Sequence, residues 1–384
     1  MPVESRLQVG PVEAHVGSRI AAKVLVATIL FAISLPAFYQ QTLGTGGSDI
    51  PTHFWIARDS QNYPHATYSI LSVFVRGLFW AGGNSLAVGW IAILLLSACV
   101  ALKGLLSVEI LSNDNERSVL PACIAVALVF VMPIVNWWNY KSVYLGQIAP
   151  TIWHNSTTIL VMPVVILLFS ASSRWLGAPT TRNATLTSGL CVLSAAIKPS
   201  YAIALLFVLV PWYCYIALKT TGMSLLRLVG HIAILLGPVI GTLLIQWLLI
   251  ASYTAITIAP FGVWSLYSPN PIASLMLSLA FPLAVSILYR GCWRGNVGFV
   301  LAWAVFAVAL MEFILLAEEG VRFNHANFLW GPCMALYLVF LTCADAFFRQ
   351  AMSARFVLLL MLFLAHLASG LYFFWRIVTG QGYM

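Results

Sequence analysis

Apolar runs of roughly 20 residues return along the whole chain, separated by connections that mostly hold one or two cations each. Nothing else constrains the fold as strongly. A run of that length crosses a hydrocarbon core of roughly 30 Å as a helix. The composition agrees, since 61% of the 384 residues are hydrophobic and 8% charged, against roughly 25% charged in soluble domains. The expected fold is an all-α polytopic membrane protein with about 11 transmembrane helices. They lie roughly at 20–39, 85–106, 119–136, 156–173, 185–198, 200–218, 229–250, 271–289, 296–316, 328–347 and 356–376. Arg19 and Lys23 precede a first run too long for a signal peptide, so it is read as an uncleaved span.

Orientation follows from Lys and Arg in the short loops. With the N-terminus inside, thirteen of the nineteen fall on the cytoplasmic side, among them Arg19, Lys23, Lys103, Arg174, Arg227 and Arg349. The other side receives Arg58, Arg76, Lys141, Lys198, Arg322 and Arg376, and the C-terminus lies there too. The net charge of +8 is therefore a topology signal. It forms no basic stripe, so no nucleic-acid partner is expected. The seven cysteines form no CxxC pair and nearly all sit inside apolar runs, where they behave as small hydrophobes.

The unusual polar residues gather on the outer side: Asp49, His53, Arg58, Asp59, His65, Lys141, His154, Asn155, Lys198, Glu318, Glu319, Arg322 and His325. The longest connection, 41–84, carries several of them. Ser48-Asp49-Ile50-Pro51 reads as a helix start, and Ile50, Phe54 and Ala57 then recur on one face. A second stretch from about Pro64 to Trp80 sets His65, Ser69, Ser72 and Arg76 at helical spacing, with Leu71, Phe74, Val75 and Leu78 as the apolar side. Both are too short or too polar to cross, so they are expected in the interface plane. Asp49 has two compatible readings, a helix N-cap and a general base kept ionised by a helix N-terminus. His53 lies one turn on.

A first span, then SDIPTHFWIA, then YPHATYSILSVFVRGLFWAGG and a new span, resembles the opening of the GT-C glycosyltransferases. In that superfamily the first external loop carries a catalytic Asp and two juxtamembrane helices, often with a segment like HPLYxLL. Here His65-Ala66-Thr67-Tyr68-Ser69-Ile70-Leu71 stands in that place, with the proline before the histidine. The resemblance is best over about 20–220. It implies a GT-C-like module over 1–220 with the loop 41–84, while 221–384 supplies C-terminal helices that complete the lipid and acceptor site. Many members carry an acidic pair in this loop, whereas Asp49 is followed by Ile50. No cofactor is expected, and a divalent metal stays open.

Three further stretches stand out. In WWNYKSVYLGQIAPTIWHNSTT, over 137–158, the aromatics suit a membrane-interface belt. Gln147, His154 and Asn155 beside Trp153 equally suit a sugar, by stacking and amide hydrogen bonds. In Ala196-Ile197-Lys198-Pro199-Ser200, a short span and a proline leave Lys198 below the outer surface. An ammonium there snorkels or binds the phosphate of a lipid carrier. The loop from Glu318 to Trp330 holds Arg322, His325 and Asn327, where Arg322 suits a phosphate or is neutralised by Glu318 and Glu319, and His325 or Asn327 suits an acceptor. His231 and His366 are expected to bond neighbouring helices, and Asp345 to pair with Arg349 one turn on.

Together these imply a glycosyltransferase on the outer face of a bacterial plasma membrane. It would move a sugar from a polyprenyl-phosphate donor to a hydroxyl of a lipid or envelope glycan, with membrane lipids around it. Asp49 is the expected base, and Lys198 and Arg322, then Arg58, the phosphate ligands. His53, His65, Gln147, His154, Asn155, His325 and Asn327 are the expected substrate contacts. A base with no enzyme nucleophile implies inversion. The alternatives are a lipid-linked-glycan flippase, which would need a charged or broken-helix path near the midplane, and an envelope glycan polymerase or ligase.

Overall fold

The computed structural model describes residues 12–44, 46–59, 62, 69–112, 119–135, 146–219, 222–250 and 255–381. Its order is α1 (Val12–Thr42), α2 (Asp49–Arg58), α3 (Ile70–Trp80), α4 (Ser85–Leu111), α5 (Val119–Phe130), α6 (Ser156–Gly177), α7 (Thr181–Ile197), α8 (Ser200–Lys219) and α9 (Leu225–Ile250). Strand β1 (Ile256–Ile258), α10 (Gly262–Tyr267), α11 (Pro271–Leu288), α12 (Val297–Leu315), strand β2 (Leu316–Glu318), α13 (Trp330–Phe348) and α14 (Ala354–Val378) follow. Among the described residues nine helices are long and apolar enough to cross a membrane: α1, α4, α6, α8, α9, α11, α12, α13 and α14. The chain is an integral membrane protein of helices. Helix α13 is its hub, buried on every side from Trp330 to Ala344 and packed against α4, α5, α6, α8, α11 and α12. A helix apolar all round belongs at the centre of a bundle.

Eleven crossings were expected, and the remaining two positions hold α5 and α7, of 12 and 17 residues. Helix α5 is short for a physical reason. After Phe130 the chain leaves the helix and runs without regular structure through 131–135, and its backbone groups find partners on neighbouring segments. Met132 N–H donates to His366 O at 3.2 Å and Ile134 N–H to Leu277 O at 3.2 Å. The His366 ring bonds Met132 O at 2.7 Å, Ser369 donates to Pro133 O at 2.6 Å, and Gln147 donates to Ile134 O at 3.0 Å. Irregular backbone at membrane depth survives only when protein satisfies it. Pro133 prevents the helix from continuing regularly through this point. His366 thus bonds a neighbouring segment as expected, and so does His231, through Thr181 and Tyr213. Asp345 pairs with Arg349.

Two expectations need correction. Lys103 is not an inner-loop cation: it lies within α4, 5% exposed, with its ammonium 3.7 Å from the Tyr337 ring centre and 3.3 Å from Thr151 Oγ1. In α3 the buried residues are Leu71 and Val75, while Phe74 is exposed together with Ile70, Val73 and Trp80. An apolar outer face on a short helix suits the lipid boundary, with Leu71 and Val75 turned to the protein. The antiparallel pair β1–β2, with Ile256 opposite Glu318, was not foreseen.

Gly370 shows how tightly the α5 break is held. A Cβ there would stand 1.4 Å from Phe130 O, whereas one at Gly189 in α7 meets nothing within 4 Å. Gly370→Ala should cost on the order of 3 kcal/mol or more and lower the melting temperature in detergent. Gly189→Ala should leave it level or raise it. Equal melting temperatures for both variants would contradict this packing.

Candidate functional site

Four helix ends meet at one face of the bundle: the N-termini of α2, α6 and α13 and the C-terminus of α7. Ser48 opens α2. Its hydroxyl accepts from Ile50 N–H at 3.2 Å and donates to His154 O at 3.1 Å, tying this loop to the segment before α6. Ser48 is therefore the N-cap, and Asp49 is the first helical residue. Capping does not require Asp49. Its carboxylate is 38% exposed and lies 3.8 Å from His154 Nε2, too far for a hydrogen bond. One turn on, His53 Nδ1 meets Ser156 Oγ, in the first turn of α6, at 2.6 Å.

Asn155 caps α6. Its Oδ1 accepts from Thr158 N–H at 3.0 Å and from the Thr157 and Thr158 hydroxyls at 2.9 and 2.8 Å. Lys198 Nζ donates to the same oxygen at 3.1 Å and to Thr157 Oγ1 at 3.1 Å. Lys198 ends α7, since Pro199 follows, and Ser69 closes that end by donating to Ile197 O at 2.9 Å. The ammonium stands 4.7 Å over the Trp330 ring at the start of α13. It is 8% exposed. Its partners among the described residues are two neutral oxygens and an aromatic face; burial lowers its pKa from 10.5 to about 7, and the Asp49 carboxylate is near enough to oppose that shift.

That field and burial set the histidines. Burial, then the Lys198 charge, lowers His53 from 6.5 to about 4. Burial, then Lys198 and His53, lowers His154 from 6.5 to about 3. Both rings are neutral at pH 7 and add no charge of their own beside Lys198. It lies at a helix C-terminus, which favours a cation, while three nearby N-termini present partial positive charge. Such a place suits an anion.

The other expected residues are placed differently. Arg58 lies at the far end of α2, 3.3 Å from Ser85 Oγ and 5.5 Å from the Phe79 ring centre, and no contact among the described residues joins it to Lys198. Arg322 is held by Glu318 through two contacts of 3.1 Å, and Asn327 donates to that carboxylate too. No contact among the described residues joins Arg322 to Lys198. His325 is exposed in the turn that follows. Gln147 is fully buried, and its amide donates to Ile134 O, so it supports backbone instead of meeting a sugar. Trp153 is buried between Phe38, Phe130 and Phe374 and offers no stacking face. His65 and Lys141 lie outside the described residues. Sequence reasoning missed Ser156, Thr157 and Trp330, because their roles arise from contacts far apart in the chain. It also missed the burial of Lys103, although a lysine beside an apolar run carried the signal. Among the described residues no group of His, Cys, Asp and Glu is arranged to hold a metal ion.

No protein-family model matches the chain, and no curated protein matches its sequence.

The burial of neutral His154 has a pH signature. The unfolded ring takes a proton near 6.5 and the folded ring only near 3. Between those values the unfolded state binds more protons, so stability rises with pH across the window and levels off above 6.5. Melting curves from pH 4 to 8 should show this slope, and His154→Gln should make it shallower, leaving the part that neutral His53 contributes. A variant with the same slope as wild type would contradict the assignment.

Proposed function

We propose that the protein is a GT-C-like glycosyltransferase acting on the outer face of a plasma membrane. The donor is a polyprenyl-phosphate-linked sugar, and the acceptor a hydroxyl of a lipid or envelope glycan. The observation that carries this reading is the buried Lys198 ammonium, held by neutral partners among helix N-termini, with the Asp49 carboxylate beside it at the surface. Asp49 takes the acceptor hydroxyl's proton as that oxygen attacks the anomeric carbon. The bond from that carbon to the phosphate oxygen breaks, and the phosphate leaves with the electron pair. Lys198 and the N-terminal N–H groups of α6 stabilise the charge that develops there. His53 and His154, neutral, orient the sugar and the base. With no enzyme nucleophile in the sequence of steps, the sugar carbon inverts. Arg322, engaged by Glu318, shapes the neighbouring turn.

A flippase is the second reading, favoured by the interruption of α5 and by Lys103 at membrane depth. The cavity beside Lys103 has a volume of only about 10 Å³, room for about one water molecule. That packing favours a structural role for Lys103 and leaves transfer as the preferred reading.

Asp49→Asn should keep the fold, because Ser48 supplies the cap, and should slow transfer from a radiolabelled prenyl-phosphate sugar by on the order of 10²-fold or more. An Asn variant with full activity would remove the base. Lys198→Ala should weaken binding of a prenyl monophosphate by about tenfold or more. Arg322→Ala should lower the melting temperature and leave that affinity level. The reverse pattern would move the phosphate to the Arg322 turn.

A further inference from the structure

A large apolar cavity lies outside the cluster just described. It has a volume of about 1030 Å³ and runs between α8, α9 and α12 under the β1–β2 pair. Those three helices are each long and apolar enough to cross a membrane. Phe207, Leu243, Trp247 and Met311 form its walls, and all but Leu243 are also largely exposed on the protein surface. A cavity with that lining, between helices at the bundle's surface, opens sideways to lipid. Its size is at the upper end of ordinary ligand pockets.

The polar end of the cavity differs from the Lys198 cluster in sign. Gln246, Glu312, Glu318 and Asn327 line it, and among the described residues no Lys or Arg does. Glu318 is engaged by Arg322 from outside. Glu312 Oε1 is buried with no hydrogen-bond partner among the described residues. A carboxyl oxygen in an apolar wall requires a donor, and a hydroxyl supplies one. A phosphate would bring negative charge towards the unpartnered Glu312 carboxyl, with no Lys or Arg among the described lining residues to offset it. The cavity is also continuous with the cluster along the chain. Pro199 and Ser200 follow Lys198, and Asn327 and Phe328 precede Trp330.

We infer that this cavity binds a membrane lipid whose head is uncharged and carries hydroxyls, and that it delivers the acceptor while the donor's phosphate goes to Lys198. The acceptor role rests on the transferase reading; the lipid class rests on the lining alone. The apolar walls hold the chain, and Glu312, Glu318 and Asn327 hold the hydroxyls facing the Asp49–Lys198 cluster.

The test uses the full chain in phosphatidylcholine nanodiscs with two photoreactive lipids bearing the same diazirine-labelled acyl chains. One is a galactosyl diacylglycerol and the other a phosphatidic acid. Labelled peptides are quantified by mass spectrometry. The galactosyl lipid should label α8, α9 and α12 about fivefold more than the phosphatidic acid, the ratio expected from one unfavourable charge contact of about 1 kcal/mol. Leu243→Trp, which narrows the cavity, should lower that labelling. Glu312→Lys should shift the preference towards phosphatidic acid, so the inference stays testable if the bulkier variant does not fold. Equal or stronger labelling by phosphatidic acid in the wild type would overturn it. So would galactosyl labelling that is unchanged by both Leu243→Trp and Glu312→Lys. Because the readout is binding, the transferase reading fails separately: a wild type that labels as expected and never transfers removes the Asp49 chemistry while the lipid class stands.

Discussion

One side-chain oxygen joins the two helix ends on which the site depends. Asn155 Oδ1 caps α6 through Thr158 N–H and at the same time accepts from the Lys198 ammonium at the end of α7. The bond fixes the depth of the cation, the start of α6 and the distance between two neighbouring helices. Ser48 then fastens α2 to the same segment through His154 O, and Ser69 fastens the start of α3 to the end of α7. Without Asn155, the ammonium would lose one of its two hydrogen-bond partners in a setting where burying a charge is costly.

The bilayer imposes the second constraint. Backbone groups away from water must be paired within the protein, and the irregular 131–135 stretch meets that demand through His366, Ser369 and Gln147. The stretch from Gly146 to Asn155 is packed by the same means: Lys103 reaches Thr151, and Thr151 reaches Leu128 O at 3.4 Å. Four residues after Thr151 comes Asn155. The buried polar contacts at membrane depth and the surface cluster therefore share one support, and the packing of Gly370 on Phe130 O contributes to both.

Much of this was legible in the sequence, and what was legible had a local cause. The apolar runs announce a helical membrane protein, Ser48-Asp49-Ile50-Pro51 announces the start of α2, and the proline after Lys198 stops α7 with the lysine buried. Asp345 and Arg349 pair at helical spacing, as read. The same spacing joins Glu318 to Arg322 and makes a partner for an arginine expected to meet phosphate. The break after Phe130 was hidden by an apolar run that continues through it, with Pro133 as its one signal. The outward face of α3 was hidden because hydrophobicity alone does not separate lipid from protein. Trp330 and Thr157 could not be read at all, since their distance from Lys198 in the chain is bridged only by the fold.

The central claim is that the Lys198 ammonium is where a lipid phosphate binds. Cryo-electron microscopy of the protein with a bound prenyl monophosphate tests it most directly. The account predicts phosphate density within hydrogen-bonding reach of Lys198 Nζ, about 3 Å from nitrogen to oxygen, beside the N-terminus of α6 and on the same side as Asp49. Phosphate density seated against Arg322, or inside the carboxyl-lined cavity between α8, α9 and α12, would contradict it.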